Sequence, residues 1–167
     1  MKRSAGKASR QAKKPAASAL AIKSEELEAF RAQLPEYRRG ETFRFLTLSW
    51  DIVRALYIVH KHPRETQKID VATFAQNYGF PFNEQGDPGG DLPESSSLFF
   101  YTDPKAARDD RIDTTRPVLI ALVALSGEKP GAMMIDGLHR LYKAAWQGQP
   151  QLEAYVLAPE EERACRI

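Results

Sequence analysis

Met133-Met134-Ile135-Asp136-Gly137-Leu138-His139-Arg140-Leu141-Tyr142-Lys143-Ala144-Ala145-Trp146-Gln147 is the stretch that decides the fold. It begins as a short apolar strand and changes period after Asp136. Leu138, Leu141, Tyr142, Ala145 and Trp146 fall at the i, i+3, i+4, i+7, i+8 spacing of one helix face. A strand therefore runs straight into a helix. Asp136 is a good N-cap, because its carboxylate can accept a hydrogen bond from a free backbone N–H, a contact worth about 1 kcal/mol. Gly148 and Pro150 supply the stop.

The polar residues of this stretch carry chemistry. Gly137 opens the first turn without a side chain, and His139 and Arg140 follow before that turn is complete. Free N–H groups, the positive end of the helix dipole and a guanidinium then converge on one spot, which is the physics of a phosphate site. The same residues also suit an ordinary amphipathic helix, since Arg140 lies roughly opposite the apolar stripe and such a helix needs a polar outer face.

Asp136-Gly137-Leu138-His139-Arg140 after an apolar strand, followed by a helix and a second apolar strand at Leu152 to Leu157, resembles the core of the ParB/sulfiredoxin-like superfamily. The resemblance covers roughly Arg116 to Leu157. In that superfamily the equivalent Gly-x-His-Arg or Gly-Glu-Arg-Arg turn holds nucleotide phosphates, and its members include partition proteins, sulfiredoxins, a kinase acting on free serine and nuclease-like proteins. The fold does not fix the reaction. Sulfiredoxins place a nucleophilic cysteine where this chain has Leu138, which cannot attack, so their chemistry is disfavoured. The partition-protein form has Glu and Arg in place of Leu138 and His139, whereas the Asp-Gly-x-His-Arg form is most similar to the kinase-like branch. The resemblance implies a nucleoside di- or triphosphate ligand (ATP, ADP or CTP), bound by Asp136, Gly137, Leu138, His139 and Arg140. His139 is the candidate for hydrogen-bond donation or proton relay; the catalytic base is unassigned.

A chain of 167 residues with 43% hydrophobic and 28% charged residues has room for one domain with a proper core, expected over residues 24–167. No apolar run approaches the roughly 20 residues that span a bilayer, so no membrane partner is expected. The single cysteine, Cys165, allows neither an internal disulfide nor a thiolate metal cluster, and a reducing cytoplasm is the expected setting.

Charge is unevenly distributed. Of the 24 basic residues, seven (Lys2, Arg3, Lys7, Arg10, Lys13, Lys14 and Lys23) precede Glu25 and face no acid there, leaving 17 against 22 acidic residues in the rest. Rich in Ala, Ser and Lys, residues 1–23 are expected to be a disordered basic tail. Such a tail can grip a DNA backbone by counterion release, through Lys2, Arg3, Lys7, Arg10, Lys13 and Lys14, or it can be a plain solubilising extension.

Further along, Ser24 is expected to cap a helix with the stripe Leu27, Phe30 and Leu34. Phe43, Phe45 and Leu48 suggest a strand, with a helix opening at Ser49 and burying Ile52, Val53, Leu56 and Val59. His60 and His62 at its end suit the helix dipole; at i, i+2 they share no helix face for a metal. Asp70 begins another helix, closed by Gly79. Asn83 to Ser97 reads as a long Gly/Pro/Ser loop, either a lid or a flexible insertion, before a strand at Leu98 to Tyr101 and a short helix at Asp103-Pro104. Asp109, Asp110 and Asp113 are candidates to hold Mg²⁺ beside phosphates, or else form a solvated turn paired with Arg108 and Arg111. Val118 to Leu125 is a central strand, and Pro159 with Glu160 to Glu162 starts a last helix.

The expected fold class is α/β (mixed α+β), a small sheet carrying the phosphate turn at a strand's C-terminal end, where such sheets commonly bind ligands. Three functions compete. The leading one is a nucleotide-binding protein that transfers or hydrolyses a phosphate; a DNA-associated protein or nuclease using the basic tail comes second, and a catalytically silent relative third.

Overall fold

The computed structural model describes residues 20, 22–80, 105, 108–124 and 129–167. The basic residues Lys2 to Lys14, the loop Asn83 to Ser97, the strand expected at Leu98 to Tyr101 and the Asp103-Pro104 helix start lie outside the described residues. Within them the fold is mixed α/β, with elements in the order α1 (Ser24–Gln33), a 3-10 turn (Glu36–Arg38), β1 (Thr42–Phe45), β2 (Leu48–Asp51), α2 (Ile52–Lys61), β3 (Gln67–Asp70), α3 (Val71–Asn77), β4 (Val118–Val123), β5 (Gly131–Asp136), α4 (Leu138–Trp146), β6 (Gln151–Leu157) and α5 (Pro159–Cys165). None of these helices is long and apolar enough to cross a membrane.

Four strands form the main sheet in the order β3-β6-β4-β5. β4 pairs in parallel with β6 and antiparallel with β5, so it is flanked on both sides; Val118, Leu119, Ile120 and Ala121 are buried, as its uninterrupted apolar run predicts. One sheet face is covered by α3 and α4, which bring Val71, Ala75, Leu141 and Tyr142 onto Val118, Ile120, Met134 and Leu152. The other is covered by α2 and α5, where Ile52, Ile58 and Cys165 meet Leu119, Ile135 and Leu157. α1 lies outside α2, with Leu27 against Val53 and Tyr57. Leu20 and Ile22, placed in the tail by composition, pack at the edge of the second cluster.

Several elements follow the sequence closely. Asp70 Oδ1 accepts the Thr73 N–H at 2.7 Å and caps α3, while Gly79, at φ +68°, ends it. Others differ. The strand expected at Phe43 to Leu48 is a hairpin, β1 and β2 turning at Leu46-Thr47 with Leu46 at φ +53°. Ser49 therefore sits in the ladder opposite Arg44, and Asp51 caps α2 instead, accepting the Arg54 N–H at 3.0 Å. Cross-strand pairing of Phe43 with Trp50, ring centroids 5.9 Å apart, decides against an earlier helix start. Lys23, not Ser24, occupies the N-cap of α1 and makes no side-chain cap bond. β3 escaped the pattern because Ile69 is its only apolar residue, as suits a strand at a sheet edge.

α5 begins at Pro159 with Glu160 to Glu162 in its first turn, as expected, and two of those acids, Glu161 and Glu162, are buried. Glu161 takes two hydrogen bonds from Arg64, both at 2.6 Å, and Glu162 accepts from Trp50 Nε1 at 2.6 Å and from Arg166. Cys165 is buried beside them, its thiol pushed up to about 12 by burial, and donates to Glu161 O at 3.2 Å. It is an unreactive core thiol.

One irregularity positions the site. Leu119 pairs with Asp136 but Ile120 with Met134, so Ile135 is an extra residue in β5, a bulge immediately before the β5–α4 turn. Bulges bend a strand and re-aim the side chains that follow. The turn does lie at a strand's C-terminal end. Because β5 is an antiparallel edge strand, however, the ligand-site rule for parallel sheets does not apply to it.

Candidate functional site

Gly137 makes the turn. It occupies the N-cap of α4 at φ +109°, a conformation that L side chains rarely adopt. A Cβ there would lie 2.4 Å from Val118 Cγ1 and 2.8 Å from Val118 Cβ, so the turn is drawn hard against the start of β4. Leu141 N donates to Gly137 O at 2.9 Å to begin the helix, and no side chain caps it. The first-turn N–H groups of Leu138, His139 and Arg140 are the donors that an α-helix cannot satisfy internally.

This overturns the expected role of Asp136. With the glycine in the cap position, Asp136 remains the last residue of β5, and its carboxylate meets two guanidinium groups: Arg38 Nη2 at 2.8 Å and Arg140 Nη2 at 3.1 Å. Arg140 is likewise not on an outer face; its side chain is 12% exposed. Its Nε and Nη2 are buried without a hydrogen-bond partner, Nη2 lying within ion-pair distance of Asp136 but off the hydrogen-bond axis. Buried donors are ordinarily satisfied, and leaving one unmet costs about 1–3 kcal/mol.

Arg38 was invisible to the sequence reading. It arrives from the 3-10 turn, 98 positions from Asp136 along the chain, and no local pattern links the two. Its side chain is 11% exposed and also donates from Nε to Glu41 Oε2 at 2.7 Å. Burial disfavours its charge, but Asp136 and Glu41 outweigh that and hold its pKa above the ordinary value.

These groups line a cleft of about 510 Å³ between the 3-10 turn, β1, residues 111–116 and the β5–α4 turn. That lies within the range of about 300–1,000 Å³ typical of ligand pockets and exceeds what a lone phosphate needs. Five arginines (Arg38, Arg44, Arg111, Arg116 and Arg140) face three acids (Glu41, Asp113 and Asp136), and Arg38 engages two of those acids itself. His139 is exposed on the wall, whereas Leu138 packs partly into the core.

The aspartate cluster does not assemble as a metal site. Asp109 takes Arg111 Nε and Nη2 at 3.0 and 2.8 Å, and those hydrogen bonds hold its carboxyl down to about 2. Asp113 Oδ1 accepts from Thr115 N at 2.9 Å and Thr115 Oγ1 at 2.6 Å, and Asp110 is exposed. Among the described residues no group of three His, Cys, Asp or Glu side chains is placed to hold a metal ion. Asp109 and Asp113 are each drawn to a turn partner two residues on, and only Asp113 of the three lines the cleft. The turn is fixed by Lys143, 8% exposed, whose Nζ donates to Asp109 O at 2.8 Å and Ile112 O at 3.0 Å. A lysine in an amphipathic pattern gave no sign of this. At the far end of α2, His62 N donates to Ile58 O as the C-cap and the His60 ring lies 5.1 Å from Phe30.

Compared with family models, with curated proteins and with solved structures, the chain finds no match.

Proposed function

We propose that this protein binds a nucleotide by its phosphates in the arginine-lined cleft, in the manner of the ParB/sulfiredoxin-like superfamily, with phosphoryl transfer or hydrolysis as its reaction. The observation that carries this is Arg140: a buried guanidinium with two N–H-bearing nitrogens lacking hydrogen-bond partners, beside the uncapped start of α4. Phosphate oxygens supply the acceptors these donors lack, and the helix dipole favours their charge. Asp136 Oδ2 holds both guanidiniums, and Arg38 remains to balance it when Arg140 turns to a phosphate. His139, exposed at the wall, would donate a hydrogen bond or pass a proton. Mg²⁺ accompanying the nucleotide would be held chiefly by phosphate oxygens and water, with Asp113 the one aspartate of the cluster on the wall.

The test is a thermal-shift screen against ATP, ADP, CTP and GTP, with and without Mg²⁺, on the parent and Arg140→Ala. A nucleotide at about 100 times its Kd adds about 2.7 kcal/mol. Arg140→Ala should weaken binding by about 2 kcal/mol, roughly 30-fold. It should leave the ligand-free Tm unchanged or raised, because it removes unmet buried donors. If no nucleotide shifts the parent, the proposal fails. Retention on DNA at low salt, lost when residues 1–19 are removed, then becomes the property to measure.

A further inference from the structure

Tyr37 is 81% exposed, and of the three large hydrophobic side chains so exposed among the described residues it alone lines the cleft. Its position is fixed by its neighbours. Arg38 N donates to Pro35 O at 2.9 Å and Arg39 N to Glu36 O at 3.1 Å, closing the 3-10 turn around it. The Arg38 side chain ties that turn to Asp136 at 2.8 Å, and Arg39 Nε ties it to Leu34 O at 3.0 Å. An aromatic side chain is thus presented on a pinned backbone one residue from a guanidinium that reaches the Gly137 turn. A cleft of about 510 Å³ leaves room for more than the phosphates.

Resting on the nucleotide-binding proposal, we infer that Tyr37 is the stacking platform for the nucleobase, so that the base as well as the phosphates sets affinity. Every base has a π-face, so stacking is tolerant of base identity; it contributes about 1–3 kcal/mol per base. The protein should accordingly hold purine and pyrimidine nucleotides with similar affinity.

Titration calorimetry of the full chain with ATP, CTP and tripolyphosphate tests this. The parent should bind both nucleotides more tightly than tripolyphosphate. Tyr37→Ala should weaken ATP and CTP by about 5–150-fold and leave tripolyphosphate unchanged, while Tyr37→Trp keeps nucleotide affinity and adds a fluorescence that the nucleotide quenches. Equal affinity of the parent for ATP and tripolyphosphate, or nucleotide binding indifferent to Tyr37→Ala, overturns the stacking role and leaves the phosphate cleft standing. A parent that binds none of the three ligands overturns both. An exposed position such as this one tolerates substitution within about 0.5 kcal/mol, so loss of folding does not confuse the result.

Discussion

Two corners of this molecule bury carboxylates against arginines, and they differ in what is left over. At the α5 corner, Glu161 Oε1 accepts from Arg64 Nη2, and Oε2 from Arg64 Nη1 and the Ala158 N–H; Arg64 also donates to the His62 and Val156 carbonyls. Glu162, fully buried, is matched on both oxygens by Arg166 and on one by Trp50. Both of those carboxylates are matched on both oxygens, although the neighbouring Arg54, which donates to Ala164 O, keeps a buried Nε without a hydrogen-bond partner. At the Asp136 corner one carboxylate meets two guanidiniums, two nitrogens of Arg140 are left without hydrogen bonds, and the group opens into a cleft with further arginines. A buried ion pair is therefore not in itself a sign of function; what sets the Asp136 corner apart is one carboxylate shared by two arginines at the wall of a cleft.

The largest expected effect tests the α5 corner. Glu161→Ala removes a buried carboxylate and leaves the half-buried Arg64 without its partner, and should destabilise the fold by about 3 kcal/mol or more in urea unfolding. Should Arg140→Ala prove as damaging to the ligand-free protein as Glu161→Ala, the two corners are alike and the contrast breaks.

Gly137→Ala addresses the open corner. It forces a side chain into a left-handed conformation and onto Val118, and should cost about 2–4 kcal/mol. Because the turn must shift to relieve the 2.4 Å approach, nucleotide binding should fall in the molecules that still fold, measured at a temperature well below the lowered Tm. Binding that survives intact would mean that the backbone of this turn does not cradle phosphate.

The smallest effect is acid sensitivity. Burial pushes the Glu161 carboxyl up, but the Arg64 hydrogen bonds, with the Ala158 N–H, outweigh it and hold the group below its ordinary 4.5. A depressed carboxyl contributes stability that is fully present above about pH 4.5 and lost as pH falls through the lower, folded value. The stability gap between the parent and Glu161→Gln should therefore be constant above pH 5 and narrow progressively below it. A gap that does not change with pH would assign Glu161 a packing role alone.

Much of the scaffold was legible because its signals are local. The apolar run of β4, the Asp70 cap and Gly79 stop of α3, and the change of period after Asp136 each depend on residues within a few positions of one another. The hairpin of β1 and β2 is not legible as two strands, because Leu46, an unusual residue at positive φ, carries no turn signature.

By itself the sequence determined that a strand ends in a glycine turn and passes into an amphipathic helix, since period and backbone freedom are written in neighbouring residues. Only the tertiary structure decided what that turn faces. It brought Arg38 across 98 positions to Asp136, turned Arg140 inward, and paired Asp109 with Arg111 instead of gathering Asp109, Asp110 and Asp113 around a metal. Those outcomes depend on which side chains meet when the 3-10 turn, β1 and α4 pack around one cleft, and no spacing along the chain encodes such meetings.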